Sequence, residues 1–421
     1  MTPRPELLAV SASTHHELAE AVAAYRVLLR GDADGGSWRD TVRTACLRDL
    51  RLPVRMSLVA RTRAEAAGYL DAAGPPRAGG VRLGTAEPGL RRRVLFVYSG
   101  LGSVWPGMGV DLLGEPVAAR VLKRCADLVG DREGWSLLEQ LTAGPGASRL
   151  HDPRVAQPAL FAVQAALTRL WRYWGVEPDL VVGTSVGEIA AAHAAAVLTL
   201  EDGLRVAVRR GEAVASARGT GCMVTVGLPA TTVEVLIDPA ERLWPAVYLS
   251  PALTLVSGDR DDAAALGERV RQCGGQWQVR HRDYPLHSPL MRSARAALAA
   301  AVEGIAVHPP DRPVFSTLTG APASSGAYGP DYWAETLVSP VRVQDAVLAA
   351  AEAAGGTVTA VEIGPRASMT PPVQATYAAH GVRAAVVPSM GVHRPARHTL
   401  LQAAAHLYVL GHDLHHHRLH R

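Results

Sequence analysis

A serine in a glycine-flanked turn is the residue of this chain whose setting most directly predicts chemistry. Segment 183–187 reads Gly-Thr-Ser-Val-Gly; it follows an apolar run, 180–182, and precedes an alanine-rich stretch, 189–196. A strand, a tight G-x-S-x-G turn and a helix form a nucleophile elbow. The serine then stands at a helix N-terminus, where backbone N–H groups stabilise a developing oxyanion. The pattern predicts acyl chemistry at Ser185, against the alternative of a chance match in a chain with 40 glycines.

A serine nucleophile needs a general base and an oxyanion hole. His287 lies in a proline-containing turn, 283–289, that can hold an imidazole at a fixed angle, although an ordinary turn histidine fits the same pattern. One oxyanion donor is expected to be the N–H of Val186, the residue after the nucleophile. The other must come from a loop after an early strand. The glycine-containing segment 99–103, after the apolar strand 94–98, fits this role, and a plain turn is the alternative.

Composition excludes several other classes of function. The 421 residues are 48% hydrophobic and 19% charged, enough for two or three domains with a large core. No run of about 18 uncharged apolar residues predicts a membrane span, and the first residues lack the pattern of a secretory signal. The four cysteines are widely spread and form no C-x-x-C pair, which favours reduced thiols in a cytoplasmic protein and no metal site.

The charge distribution points away from nucleic acid. The net charge is +4, and the basic residues are scattered, with 91–93 as the only tight cluster and no aromatic residues interleaved with it. A mildly basic surface suits an acidic protein partner or a phosphorylated carrier better. Most of these arginines are expected to be solvated surface residues.

The order of elements predicts four regions. Residues 1–92 read as a small α/β unit, with strands at 7–12 and 55–60, helices at 17–30 and 63–73, and a break at 74–80. Thr62 is the expected N-cap of the second helix, and Glu65 completes a capping box. A large α/β region is expected over 93–218 and 286–390, with a small insert at 219–285 that has strands at 223–226, 254–257 and 277–279 and helices at 231–237 and 262–272. Residues 391–421 form a linker and tail, and the histidine tract at 415–420 is expected to be a frayed polar end rather than a metal site.

Four motifs, in order, resemble the acyltransferase domains of modular polyketide synthases and the related malonyl-CoA:acyl carrier protein transacylases. Segment 98–109 resembles that family's G-Q-G-S-Q-W loop, 156–162 its Q-P-A-L-F-A helix, 183–188 its G-H-S-x-G-E turn and 362–365 its E-x-G-P element. The match covers nearly the whole chain. It implies an α/β fold: a hydrolase-like parallel sheet domain with a small ferredoxin-like inserted subdomain, preceded by a small α/β linker domain like the one that joins ketosynthase to acyltransferase.

The resemblance assigns roles to individual residues. Ser185 is similar to the family's acyl-accepting serine and His287 to its general base, with the N–H groups of Leu101 and Val186 as the oxyanion hole. Arg210, 25 residues after the serine, matches the arginine that binds the free carboxylate of malonyl-type units. Thr336 matches a position whose backbone orients the histidine. Arg209 adjoins Arg210, and one of the two is expected to be only a surface arginine.

The residues of the expected acyl pocket depart from the family pattern. Thr184 replaces a histidine, Leu101 a glutamine, and Leu249 and Thr336 asparagines. Val186 and the bulky Leu286 resemble malonyl-selective members, whereas Tyr284 resembles methylmalonyl-selective ones. These markers favour malonyl by a small margin and leave methylmalonyl or an unusual unit open, because one methyl group gives only about 1–3 kcal/mol of discrimination.

The resemblance implies a ping-pong acyltransferase without a bound cofactor or metal. Acyl-CoA would load Ser185, and the phosphopantetheine thiol of an acyl carrier protein would remove the unit. The expected partners are therefore a carrier protein and polyketide synthase modules, with no nucleic acid and no membrane. Two alternatives remain: a hydrolase that clears stalled acyl groups from carrier proteins, and a degenerate scaffold that only docks a synthase partner. Arg210 favours the transferase. Whether the chain is a discrete enzyme or a domain of a synthase stays open.

Overall fold

The computed structural model describes residues 3–31, 37–72, 80–87, 89–281, 283–324 and 326–420. The chain divides into two units, each assembled from separate segments. The first unit consists of residues 1–92, 169–177 and 387–421, and the second of 93–168 and 178–386. The break expected at 74–80 lies outside the described residues except for Gly80.

The helices and strands follow one another in an α/β order. As far as residue 98 they are β1 (Glu6–Ala12), α1 (His15–Arg30), α2 (Trp38–Arg48), β2 (Val54–Ala60), α3 (Arg63–Asp71), β3 (Val81–Thr85) and β4 (Arg93–Tyr98). The next are α4 (Pro116–Glu133), α5 (Leu137–Thr142), α6 (Pro153–Tyr173), β5 (Leu180–Gly183), α7 (Gly187–Ala194), α8 (Leu200–Ser216), β6 (Cys222–Val226), α9 (Ala230–Leu236), β7 (Leu243–Ser250), β8 (Leu253–Gly258), α10 (Arg260–Gln272) and β9 (Trp277–His281). The last are α11 (Arg292–Ala301), β10 (Val314–Ser316), β11 (Ala321–Pro322), α12 (Pro330–Val338), β12 (Val341–Arg342), α13 (Val343–Ala353), β13 (Thr357–Ile363), α14 (Thr370–Ala379), β14 (Arg383–Pro388), α15 (Ala396–Val409) and α16 (His416–Leu419).

The first unit is built on a three-stranded antiparallel sheet in the order β1-β2-β3. The central strand β2 is buried along its whole length, so its one charged residue, Arg55, needs internal partners. The guanidinium donates to the carbonyls of Tyr408 and His412 and lies 5.0 Å from the centre of the Tyr408 ring. Thr62 is the N-cap of α3 as predicted, but the Glu65 carboxylate accepts from the N–H of Arg61 and not from that of Thr62.

The prediction of a frayed histidine tail is wrong. Leu419 and His420 are buried, and His420 Nδ1 lies 2.8 Å from the buried carboxylate of Glu6. Arg397 donates to the carbonyl of Leu419 and lies 3.5 Å from the same carboxylate. The tail is ordered because it covers apolar side chains and supplies partners to a buried charge, which a pattern of polar residues does not reveal.

The second unit contains a six-stranded sheet in the order β11-β10-β5-β4-β13-β14. Residues 383–386 of β14 belong to this unit. The pairs β10–β5, β5–β4 and β4–β13 are parallel, which confirms the predicted parallel sheet. Tyr98 is in register with both Gly183 and Ile363, so three strands end side by side. The loops that follow β4, β5 and β13 therefore meet at one edge of the sheet.

The insert is a ferredoxin-like β-α-β-β-α-β unit, as predicted. Its strands lie in the order β7-β8-β6-β9, all antiparallel, over one hydrophobic core, and β12 extends the sheet in parallel to β7. The sequence analysis missed β7, whose Pro245 interrupts the strand pattern and coincides with a register irregularity.

Within the described ranges, no helix is long and apolar enough to cross a bilayer.

Candidate active site

Two glycines shape the turn that carries Ser185. A Cβ on Gly183 would lie 2.4 Å from the carbonyl oxygen of Gly187, and a Cβ on Gly187 would lie 2.6 Å from the carbonyl oxygens of Tyr98 and Ser99. Only glycine permits this approach between β5, α7 and the end of β4. Ser185 itself has φ +56°, in the left-handed region, which is the strained backbone expected of a nucleophile elbow.

His287 is held by its neighbours in a second left-handed conformation, with φ +61°. The backbone N–H of His287 donates to the carbonyl of Leu337 at 2.9 Å. On either side, Ser257 of β8 donates to the carbonyl of Leu286 at 2.5 Å, and Ser288 donates to that of Pro285 at 2.7 Å. These bonds bring His287 Nε2 to 2.8 Å from Ser185 Oγ. The predicted nucleophile and base are thus within hydrogen-bond reach of each other.

The surroundings keep His287 neutral. Burial, followed by the positive charge of Arg210, lowers the pKa of His287 to about 3, although the backbone carbonyls of Thr336 and Ser339 act in the opposite direction. No described atom meets full hydrogen-bond geometry with Nδ1. A neutral imidazole with its proton on Nδ1 presents Nε2 as the acceptor for the Ser185 proton.

Close packing of two helices places Arg210 beside the serine. A Cβ on Gly203 of α8 would lie 2.6 Å from the ring of Phe161, and one on Gly211 would lie 2.5 Å from the carbonyl oxygen of Pro153. Because these glycines stand about two turns apart, one face of α8 lies directly against α6. Arg210 and Gln157 then face each other across this contact.

Arg210 is a fully buried cation whose partners are all neutral oxygens. Nη2 donates to Ser185 Oγ at 3.2 Å, Nη1 to Gln157 Oε1 at 3.0 Å and Nε to Thr336 Oγ1 at 3.4 Å. No described carboxylate lies within ion-pair distance of it. Burial lowers the pKa of Arg210 to about 10, and Glu188 opposes this shift, so the guanidinium stays charged near neutral pH.

Arg209 has the structural role expected for one of the two adjacent arginines. It forms ion pairs with Glu133 at 2.9 Å and with Glu212 at 2.7 Å, and about a third of its side chain is exposed. Carboxylates of the protein therefore neutralise Arg209, whereas no described carboxylate lies within ion-pair distance of Arg210.

Glu188 ties the start of α7 to the elements that surround the site. Its carboxylate accepts from the backbone N–H and the hydroxyl of Thr317 and from the hydroxyl of Tyr332 on α12. Thr317 also donates to the carbonyl of Gly183. Burial raises the pKa of Glu188 to about 7, against the effect of these hydrogen bonds and of Arg210. The network joins the turn of Ser185 to the helix that carries Thr336.

The loop after β4 lies against the elbow. A Cβ on Gly100 would lie 3.1 Å from the carbonyl oxygen of Thr184 and 3.9 Å from Ser185 Cβ. Among the described residues, no hydrogen bond uses the N–H of Leu101 or that of Val186. Val186 adjoins Ser185 in the chain, Leu101 follows the glycine that packs against the elbow, and both N–H groups are available to a ligand.

The expected pocket residues separate into two groups. Thr184 and Leu286 are both buried, and each directly precedes one of the two reacting residues in the sequence. Thr184 Oγ1 contacts Met369 Sδ at 3.6 Å. Leu249 is half-buried on β7. Tyr284 is half-buried in a groove of about 550 Å³ that Arg154, Glu212 and other residues line.

Glu362 of the E-x-G-P element has a structural role. Its buried carboxylate accepts from the backbone N–H groups of Ser368, Met369 and Thr370 at the start of α14. It therefore caps that helix and fixes the loop that bears Met369.

Sequence reasoning missed Gln157, Glu188 and Met369 as members of the site. The signal for Gln157 was present: it is the polar residue within the apolar run 155–163 of α6, yet it is fully buried. Glu188 gave a similar signal as a charge in an alanine-rich helix. No sequence pattern marks Met369. Within the described part of the chain, no group of three or more His, Cys, Asp or Glu residues is arranged to hold a metal ion.

Known proteins resemble the chain along its length. A family model described as an acyl transferase domain matches residues 95–413. Erythronolide synthase EryA3 of Saccharopolyspora erythraea is 38% identical over 325 residues, which are 77% of this chain and 10% of that protein. Erythronolide synthase EryA2 of the same organism is 35% identical over an alignment of 426 positions that covers 98% of this chain and 12% of that protein. The chain thus spans about a tenth of the length of these relatives.

Solved structures that resemble the chain are acyltransferase domains as well. The acyltransferase domain from module 8 of the salinomycin polyketide synthase has a TM-score of 0.90 and 32% identity, with 98% of each chain covered. The acyl transferase domain of SpnD in complex with 2-(pent-4-yn-1-yl)malonyl has a TM-score of 0.86 and 26% identity, with 98% of this chain and 97% of that chain covered. Because the family model spans most of the chain and these neighbours match it from end to end, the chain belongs to the acyl transferase domain family and is an acyltransferase of the polyketide synthase type.

Proposed function

We propose that the chain transfers a carboxyacyl unit, malonyl in the first instance, from CoA to the phosphopantetheine thiol of an acyl carrier protein. The observation that carries this proposal is the 3.2 Å contact between Arg210 Nη2 and Ser185 Oγ. It puts a buried cation that lacks a carboxylate partner next to the nucleophile. A planar guanidinium is suited to bind a carboxylate with two hydrogen bonds.

In the first half of the reaction, His287 Nε2 takes the proton of Ser185 as Oγ attacks the thioester carbonyl. The N–H groups of Leu101 and Val186 stabilise the tetrahedral oxyanion. The carbon–sulfur bond then breaks, and the CoA thiolate leaves with the proton from His287. An ester on Ser185 remains.

In the second half, His287 takes the proton of the carrier's phosphopantetheine thiol, and the thiolate attacks the ester carbonyl. The carbon–oxygen bond breaks, and Ser185 recovers its proton from the imidazole. These steps need side chains, backbone N–H groups, one thioester donor and one thiol acceptor, so the proposed mechanism uses no bound cofactor.

Two buried side chains favour a small α-substituent in this proposal. Val186 and Leu286 adjoin the two reacting residues in sequence, and both are buried. The SpnD domain was solved in complex with 2-(pent-4-yn-1-yl)malonyl, so a longer α-substituent is a further candidate. Malonyl is therefore the first unit to test, with methylmalonyl as the second.

The surface and the thiols support the expected setting. The net charge of +4 suits an acidic carrier protein. The cysteines are free, and Cys46, Cys125 and Cys222 are buried, which suits a reducing, cytoplasmic location.

The decisive experiment is intact-protein mass spectrometry after brief incubation with malonyl-, methylmalonyl- or acetyl-CoA. We expect a mass increase of one carboxyacyl unit in the wild type and none in Ser185→Ala. Transfer to a phosphopantetheinylated carrier protein is then followed by the mass of the carrier. CoA release at full rate without any acylated carrier or enzyme would identify a hydrolase instead. Labelling by acetyl-CoA alone would contradict the carboxylate-binding role of Arg210.

A further inference from the structure

A second buried donor lies beside Arg210. Gln157 is fully buried on α6, and its Oε1 accepts from Arg210 Nη1 at 3.0 Å. Its Nε2 is also buried and has no hydrogen-bond partner among the described residues. An unpaired buried amide N–H costs free energy, so this atom is expected to meet an acceptor in the working enzyme.

The chemistry of the guanidinium determines which atom of the Gln157 amide faces Arg210. A guanidinium has five N–H donors and no acceptor. The atom of Gln157 that faces Arg210 must therefore be the oxygen, because the nitrogen would set two donors against each other. Nε2 belongs to the same planar amide, and so it lies beside the guanidinium with its two N–H groups unused.

The site has more hydrogen-bond donors than acceptors. Arg210 uses three of its five N–H donors, on Ser185, Gln157 and Thr336. No described carboxylate lies within ion-pair distance of it, and Gln157 Nε2 adds two more unused N–H groups next to it. A carboxylate supplies about four acceptor positions and one negative charge, which matches both deficits.

We propose that Gln157 donates its free amide N–H to the carboxylate of the acyl unit, alongside Arg210, and thereby sets the preference for carboxyacyl over simple acyl donors. This inference rests on the proposed function and names a further residue of the same site. Gln157 also holds Arg210 in place, so it acts on the carboxylate both directly and through the guanidinium.

The contact affects specificity more than turnover of uncharged donors. A hydrogen bond to a charged group contributes enough to change the rate constant about tenfold or more when it is lost. An acetyl group has no carboxylate to accept it. Loss of the amide is therefore expected to lower acylation by malonyl-CoA by a larger factor than acylation by acetyl-CoA.

The test compares Gln157→Met with the wild type in single-turnover acylation of Ser185, read as intact mass with malonyl-CoA and with acetyl-CoA. Methionine keeps the length of the side chain and removes both polar atoms. The malonyl-to-acetyl ratio of rate constants should fall about tenfold or more. Gln157→Glu is the second variant: it keeps an oxygen for Arg210, lacks the donor and repels the substrate carboxylate, so the same ratio should fall further.

Gln164→Met is the matched control. Gln164 is also fully buried on α6, but its Nε2 already donates to the carbonyls of Ser99 and Ile363. Its substitution should lower thermal stability without a change in the malonyl-to-acetyl ratio.

A double-mutant cycle separates direct contact from support of Arg210. Gln157→Met is repeated in an Arg210→Gln background, where part of the loss in the ratio should persist if Gln157 touches the carboxylate. If the loss disappears there, or if malonyl and acetyl rates fall equally in Gln157→Met, the inference is overturned while the proposed function stands. A wild type that is labelled by acetyl-CoA but by no carboxyacyl-CoA would overturn both.

Discussion

The reacting residues are held in conformations that a free chain rarely adopts. Ser185 and His287 both have positive φ, and each is surrounded by backbone contacts that leave no alternative. Such strain costs of the order of 1–3 kcal/mol per residue and persists only where the surrounding structure overdetermines it. The same burial that fixes the imidazole also keeps it neutral, so position and protonation state have one cause.

The low pKa of His287 predicts an unusual pH profile. The imidazole is an active base only when neutral, and burial and Arg210 lower its pKa to about 3 from the ordinary value of 6.5. Acylation of Ser185 should therefore stay constant as the pH falls from 8 to 5, measured by single-turnover mass spectrometry. The neutral histidine's contribution to stability is complete above pH 6.5 and is lost as the pH falls towards 3. Thermal unfolding at each pH is the control, and an acid limb near pH 6.5 in a folded protein would contradict the prediction.

At the scale of elements, close approach of backbones fixes the geometry of the site. The ends of β4, β5 and β13 lie in register, and α7 begins where its first residue touches the end of β4. The helices α6 and α8 meet at glycines, which brings Gln157 and Arg210 into contact. The packing between helix and strand thus sets distances that side-chain rotation alone could not provide.

Gly187→Ala should abolish acylation and lower stability. The added Cβ would lie 2.6 Å from two carbonyl oxygens, and neither can move without a shift of β4 or of the elbow. We expect the free energy of unfolding, from denaturant titration, to fall by more than about 2 kcal/mol. The matched control is Gly130→Ala, inside α4, where no atom lies within 4 Å of the new Cβ. That change should stabilise the protein by about 0.5–1 kcal/mol, and equal effects of the two variants would refute the argument.

At the scale of the molecule, each unit joins segments that are distant in sequence. The first unit combines the first 92 residues with the last 35 or so, and the second is interrupted at 169–177. In the first unit, the C-terminal residues supply partners to buried charges at Glu6 and Arg55. The stability of that unit therefore depends on contacts between segments that are far apart in the sequence.

Leu419→Ala should loosen the first unit. Leu419 is fully buried on α16, which packs against α2, so the change should cost about 2–5 kcal/mol. Hydrogen exchange should become faster at the amides of β1 and β2. Val27→Ala on α1, where 74% of the valine is exposed, should leave exchange in these strands unchanged. If Leu419→Ala also leaves it unchanged, the tail does not pack in solution as described here.

The sequence by itself determined the features that depend on local pattern. The elbow with Ser185, the parallel strands and most of the insert follow from periodicity and glycine spacing, because those constraints act over a few residues, whereas the role of His287 as the base came from the resemblance to a family. The resemblance to a family added Arg210 by its spacing from the serine. The pocket roles of Leu249 and Tyr284, and the two-donor site at Gln157, stay predictions.

Only the tertiary structure decided which groups are left without partners and which segments are buried. Gln157 Nε2 lacks an acceptor, and Arg210 a carboxylate, only once α6 and α8 are packed together. The histidine tail is buried only because α16 packs against α2 and His420 contacts the buried carboxylate of Glu6. Hydrogen-bond satisfaction and burial are properties of the whole set of neighbours in space, and a linear pattern of residue types does not contain that set.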